Sequence, residues 1–196
     1  MTFRELKQSD EKIFNDWIKS WTTESVIVSV AKPITGSFAE HLANLEQMKN
    51  NSINNFVPAS NYFFIEDGLI KGGVSARWQL NDHLLNFGGH IGYGVAPAWR
   101  QQGIAKKMLE LTLNIYQQRK ISPVLITAEK WNIASRKTIE SNGGVLENII
   151  KEPSTGKLFC RYWIDLNSLV INIIIQKVVL FLEKYDKKSC PVKAAF

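Results

Sequence analysis

The stretch IGYGVAPAWRQQGIA, residues 91–105, decides the reading of this chain. Its first five residues, Ile91 to Val95, form an apolar strand-like run, and a helix-like run begins around Gly103. Between them lie Arg100, Gln101, Gln102, Gly103, Ile104 and Ala105. The first turn of a helix leaves backbone N–H groups without intrahelical partners, and the aligned peptide dipoles put partial positive charge at the same end. Anions dock there. Gly103 has no Cβ to block a close approach, Ala105 is small, and Arg100 can add a charge-assisted bond to a phosphate oxygen. The loop suits a pyrophosphate.

Two other glycine-rich loops are excluded by residue type. A Walker A loop ends in Gly-Lys-Ser/Thr, and no such ending occurs. The dinucleotide pattern GxGxxG fails because Gly92 and Gly94 are followed by Pro97 at the third glycine position.

Working outward, a short strand is predicted around Thr2 to Leu6, and Ser9 can cap a helix carrying Ile13, Phe14, Trp17, Ile18 and Trp21. Ser37 with Glu40 is a capping-box signature for a second helix bearing Phe38, Leu42, Leu45 and Met48. Asp67-Gly68 joins two β-rich runs as a hairpin. Downstream, Ile104, Met108, Leu111 and Ile115 recur at helical spacing, Val124 to Thr127 reads as a buried strand, and Asn132 to Ser141 reads as a helix with Gly143 beyond its end. Val145 to Ile150 and Leu158 to Ile164 pair through Pro-Ser-Thr-Gly. The expected class is α/β (α+β), a mixed sheet with helices packed on it.

At 196 residues the chain fits one domain better than two. With 45% apolar and 21% charged residues it reads as globular, and its polar N-terminus has no apolar signal core, so a cytoplasmic location is expected. Cys160 and Cys190 read as free thiols. His41, His83 and His90 form no ligand-spaced cluster with them, so no metal is expected. The net charge of +6 does not mark a nucleic-acid binder. Lys177, Lys184, Lys187, Lys188 and Lys193, set against Glu183 and Asp186, put half of that excess in the C-terminal tail, and no aromatic-interleaved basic stripe accompanies it. In the tail, Leu169 to Leu182 is apolar but too short and too polar for stable membrane insertion. It is expected to pack on the domain or on a partner subunit in a homodimer.

The segment Gly89 to Gly144 resembles the core of the GNAT superfamily of N-acetyltransferases. RQQGIA resembles the family's pyrophosphate loop, and Asn132 with Ser135, Glu140 and Gly143 resembles its second motif. GGHIGYGVAPAWRQQGIAKKML, LITAEKWNIASRKTIESNGGVLEN and RYWIDL are also similar to a little-characterised bacterial subgroup of predicted acetyltransferases. The resemblance covers most of residues 1–166, taken as one GNAT-like domain, and leaves 167–196 as a C-terminal extension. It implies a mixed, mostly antiparallel sheet whose central parallel strands splay to admit acetyl-CoA, flanked by helices. It also implies acetyl transfer to a primary amine of a small molecule or peptide, by direct attack in a ternary complex. Acetyl-CoA is then a co-substrate, held by Tyr93, Gly94 and Val95, by Arg100, Gln101, Gln102, Gly103, Ile104 and Ala105, and by Asn132 and Ser135.

Three chemical tasks follow: the amine must lose a proton, the thioester oxygen must be stabilised, and the departing thiolate must be protonated. For an amine of pKa about 10.4, deprotonation at pH 7 costs roughly 4.6 kcal/mol, so a base or a desolvating pocket matters. The strand Ile91 to Val95 carries no carboxylate, where family members often supply a base. His90 and Tyr93 are the catalytic candidates there. Ile139 stands where many members carry a tyrosine that protonates the thiolate, so Tyr162 becomes the substitute candidate. These departures keep open a non-catalytic acyl-CoA-binding or sensing domain. The acceptor pocket is expected from the loops around Lys32 to Pro58 and Arg77 to Phe87; Arg77, Trp78 and Arg161 can line the acceptor side, and each also reads as a surface or sheet-packing residue.

Overall fold

The computed structural model describes residues 1–21, 28–52 and 56–167. The apolar tail segment, Cys190 and the tail's packing lie outside the described residues. Among the described residues the strands form two antiparallel sheets. The first runs in the order β1 (Thr2–Arg4), β2 (Ala59–Glu66), β3 (Leu69–Arg77), β4 (Ile91–Val95). The second runs β5 (Val124–Glu129), β7 (Leu158–Ile164), β6 (Val145–Lys151). The β2–β3 hairpin turns at Asp67 and Gly68, which take φ of 54° and 71° as a tight hairpin turn requires.

Helices cover both faces. The helices α1 (Glu11–Lys19) and α2 (Phe38–Met48) lie on one side of the first sheet. There Phe14, Trp17, Trp21, Phe38 and Phe63 form an aromatic-rich core. The other side holds α3 (Ile104–Gln118) and α4 (Ile133–Glu140), over a larger core in which Val74, Ile91, Met108, Leu109, Ile126 and Tyr162 are buried. Ser37 caps α2 as expected: its Oγ accepts from Glu40 N–H at 3.2 Å, and its own N–H donates to Glu40 Oε2 at 2.7 Å.

Two local expectations shift. The first helix starts at Glu11, and Ser9 does not cap it. Asp10 instead accepts from the Lys7 N–H at 2.7 Å and is gripped by both Nη atoms of Arg4, at 2.6 and 3.0 Å, because a charge-assisted fork outcompetes a neutral cap. On α3 the buried stripe is Ile104, Met108, Leu109, Thr112, Leu113 and Tyr116, with Leu111 and Ile115 only partly covered. Thr112 can be buried because its hydroxyl donates to the Met108 carbonyl at 2.7 Å.

The two sheets meet where β4 and β5 begin. The His90 N–H donates to Leu125 O at 2.8 Å, and the Leu125 N–H donates to His90 Nδ1 at 2.9 Å. Beyond this point no ladder joins β4 to β5. With α3 as the connection between them, the two strands run in the same direction from a shared start and then part. This is the splay expected of the central parallel strands.

Candidate active site

Among the described residues no ladder hydrogen bond crosses the gap between β4 and β5. Arg77 N–H donates to His90 O and Ala96 N–H to Lys71 O, which fixes the hydrogen-bond phase of the β3–β4 ladder. Residues 90, 92, 94 and 96 turn their backbone groups to β3, and Ile91, Tyr93 and Val95 turn theirs toward the gap. Gly94, an expected cofactor contact, therefore offers the gap only its small size. A Cβ there would sit 2.7 Å from Val28 Cγ2, so glycine is required by the packing of the opposite face. The Val95 carbonyl is engaged by Arg100 Nε at 3.2 Å, which draws the loop back over the strand end.

After β4 the chain makes a short 3₁₀ turn at Pro97–Trp99 and then the loop Arg100–Gly103. Trp99 is seated under the ammonium of Lys71, 4.3 Å from its ring centroid, and Lys71 is itself held by Glu66 at 2.7 Å. Gln101 and Gly103 both adopt left-handed backbone, with φ of 62° and 77°. Such alternation turns successive N–H groups to one side and makes an anion-binding concavity. Gly103 is the N-cap of α3 and supplies no side-chain cap, so the helix's first N–H groups carry no side-chain acceptor. Around Gly103 the space is open, with no atom within 4 Å of where a Cβ would stand. Gln101, Gln102 and Gly103 are exposed, and Ile104 is buried as the anchor of the helix.

Across the gap, α4 begins at its N-cap Asn132, whose Oδ1 accepts from Ser135 N–H at 3.1 Å. The Tyr93 hydroxyl lies 2.9 Å from Ser135 Oγ and 3.3 Å from Ser135 O, so Tyr93, Asn132 and Ser135 come together at the second wall. Burial pushes the Tyr93 phenol up to about 12. It is protonated at neutral pH.

His90 and Tyr162 are placed apart from that cluster. Burial, with the Arg77 guanidinium nearby, pushes the His90 imidazole down to about 4, and its Nδ1 is occupied by the Leu125 N–H. The Tyr162 hydroxyl donates to Glu140 Oε1 at 2.9 Å and accepts from Arg136 Nε at 3.0 Å, so it ties β7 to α4. Burial raises its pKa. Ile139 is fully buried in the core beneath α4.

On the face opposite α3 and α4 lies a cavity of about 1020 Å³. The strands provide Asn61, Ser75 and Arg77 to it, α2 provides His41 and Asn44, and the loop segments around Lys32 and Leu84 close its sides. These are the loops from which the acceptor pocket is expected. Asn61 and Ser75 were not singled out from the sequence, although the signal was there: they are polar residues in strands that are otherwise buried along most of their length. Among the described residues no group of His, Cys, Asp and Glu could hold a metal ion, and no helix is long and apolar enough to cross a membrane.

Comparison with known proteins agrees with this geometry. A family model described as acetyltransferase (GNAT) domain matches residues 1–145. No curated protein matches the chain. Among solved structures, a ribosomal-protein-S5-alanine acetyltransferase from Vibrio fischeri is similar with a TM-score of 0.63 and 16% identity, over 83% of this chain and 91% of that one. RimL, a ribosomal L7/L12 alpha-N-protein acetyltransferase in complex with coenzyme A, gives a TM-score of 0.62 and 16% identity, over 83% and 92%. A spermidine N-acetyltransferase SpeG chimera from Vibrio cholerae and hSSAT gives 0.59 and 14%, over 87% and 99%. At these identities the structures speak for the fold, and the family match speaks for the lineage: the chain belongs to the GNAT family of acetyltransferases.

Proposed function

We propose that this protein moves the acetyl group of acetyl-CoA to a primary amine by direct attack within a ternary complex. One observation carries the reading: β4 presents the backbone groups of Ile91 and Tyr93 and the Val95 N–H to a gap that no described strand fills, and an uncapped helix start stands at the gap's open end. An amide-bearing arm ending in a pyrophosphate matches both halves of that arrangement. In this reading the N–H groups from Gln101 to Ala105 take the pyrophosphate and Arg100 screens its charge. Tyr93 and Val95 bond the pantetheine amides, and Asn132 and Ser135 flank the arm. RimL binds coenzyme A on the same fold.

The acid and base assignments follow from the proton affinities. With its imidazole near 4 and Nδ1 engaged, His90 is assigned a structural role, and Tyr162, bonded to Arg136 and Glu140, is assigned the same. Loss of the amine proton then rests on desolvation in the cavity and on solvent. In this reading Tyr93 faces the departing thiolate. A phenol near 12 cannot fully protonate a thiolate whose acid is near 8.5, since the transfer runs uphill by roughly 5 kcal/mol. Tyr93 therefore acts as a hydrogen-bond donor that stabilises the thiolate, and water supplies the proton.

Acetyl-CoA at about a hundred times its Kd should raise folding stability by about 2.7 kcal/mol. Thiol release should then depend on added amine. No stabilisation by acetyl-CoA would sink the proposal. Stabilisation without release, across a broad amine panel, would favour the acyl-CoA-sensing reading that the absence of a carboxylate on β4 keeps in view.

A further inference from the structure

The cavity beside β4 has a definite electrostatic character. Among the described residues that line it there is no aspartate or glutamate, while Lys32 stands at its edge and Arg77 on its floor. Arg77 Nη1 donates to Gly88 O and Gly89 O, each at 3.1 Å, and so pins the turn that leads into β4. Its Nη2 donates to no described residue and is not sealed off from the cavity. No carboxylate among the described residues pairs with this guanidinium, and burial lowers its pKa. A desolvated cation with an open donor edge is incomplete without an anion.

The position of that edge limits where the anion lies. A Cβ at residue 92 would stand 3.1 Å from Arg77 Nη2, so the guanidinium lies against β4 at Gly92, where the strand carries no side chain. In the acetyl-transfer reading the pantetheine amides are held at Tyr93 and Val95, so the thioester lies at the Ile91–Gly92 end of β4, within about 3–7 Å of the guanidinium at about 3.4 Å per residue. Asn61 and Ser75 add neutral polar groups to the same floor.

Resting on the acetyl-transfer reading, we propose that the acceptor is a carboxylate-bearing amine of the free amino acid class, with its carboxylate held by Arg77 and its amine a few bonds away at the thioester. Polyamines and aminoglycosides, which bring several cationic groups, meet no described counter-charge in this cavity. The missing side chain at Gly92 lets the planar guanidinium lie against β4, and its open Nη2 side suits a carboxylate oxygen.

The test compares α-amino acids and β-alanine with their carboxamides, and with spermidine, in two measurements on the full chain. Acceptor-dependent thiol release should favour each acid over its amide by about tenfold to a hundredfold in kcat/KM. Calorimetric binding, with and without CoA, should show the same order without requiring turnover. In Arg77→Gln the preference should fall to within about twofold, the range of ordinary context effects. Arg77→Lys, which keeps charge but loses the fork, should retain part of it. An unchanged rise in Tm with acetyl-CoA certifies that each variant is folded. Amides equal to acids, a preference that survives in Arg77→Gln, or binding of spermidine with no binding of any amino acid would overturn the assignment. Absence of an acetyl-CoA effect on Tm would strike the acetyl-transfer reading instead, and the calorimetry without CoA would still decide whether Arg77 receives a carboxylate.

Discussion

Four hydrogen bonds converge on His90. Its N–H and Nδ1 both engage Leu125, and its carbonyl accepts from the Arg77 N–H and lies 2.9 Å from the Tyr116 hydroxyl. A doubly protonated imidazole would turn a second N–H against the Leu125 N–H, so the ring is required neutral. Its pKa is about 4 in the folded protein and about 6.5 when unfolded, so the unfolded chain binds more protons between those values. The stabilising contribution is whole above pH 6.5 and is lost as pH falls toward 4, by about 3 kcal/mol. In His90→Asn, whose Oδ1 can still accept from Leu125 but cannot titrate, urea melts across that range should lose this slope. At Gly103 the argument is conformational: an alanine there meets no atom, but at φ of 77° it should cost about 1–2 kcal/mol of stability. Calorimetry should show weaker acetyl-CoA binding in the same variant.

Among the elements, α2 couples local stability to the cavity. Ser37 closes its N-terminus, and two turns of the helix carry His41, Asn44, Leu45 and Met48 to the cavity wall. Ser37→Ala should cost about 1 kcal/mol in chemical denaturation. It should raise the KM of the acceptor more than the Kd of acetyl-CoA, because α2 does not touch the gap. The cap at Ser37, the turn at Asp67-Gly68 and the N-cap at Asn132 were all legible in the sequence, because each depends on residues three or fewer apart. The first turn of α1 was misread because its carboxylate answers to Arg4, six residues upstream and outside any capping window. The bond from Leu125 to His90 spans 35 residues, and the hydroxyl of Tyr93 finds Ser135 across 42. No local pattern encodes pairings of that range. The loop Arg100–Ala105 is legible as a candidate anion site, but the groups that line the cavity are set only by the meeting of β2, β3 and α2.

At the scale of the described fold, the two antiparallel sheets are joined through a few bonds at one end and by the packing of α3 and α4 across them. The N–H groups of Tyr93 and Val95 face the gap with no partner among the described strands, whereas those of Gly92 and Gly94 face β3. Hydrogen exchange followed by NMR should therefore show Tyr93 and Val95 exchanging much faster than their neighbours in the free protein, and slowing when acetyl-CoA binds. Equal protection of all four in the free protein would contradict the hydrogen-bond phase of β4.

The apex of the gap, closed by His90 and Leu125, also sets a geometric rule. A wedge fixed at one end measures whatever is pushed into it, since depth and width are tied together. On the acetyl-transfer reading a short acyl group can slide toward the apex and bring its carbonyl level with Gly92. A longer chain must stop higher or bend out through the cavity, into space the acceptor would use. The same histidine that holds the sheets together thus acts as the zero mark of a gauge for acyl length.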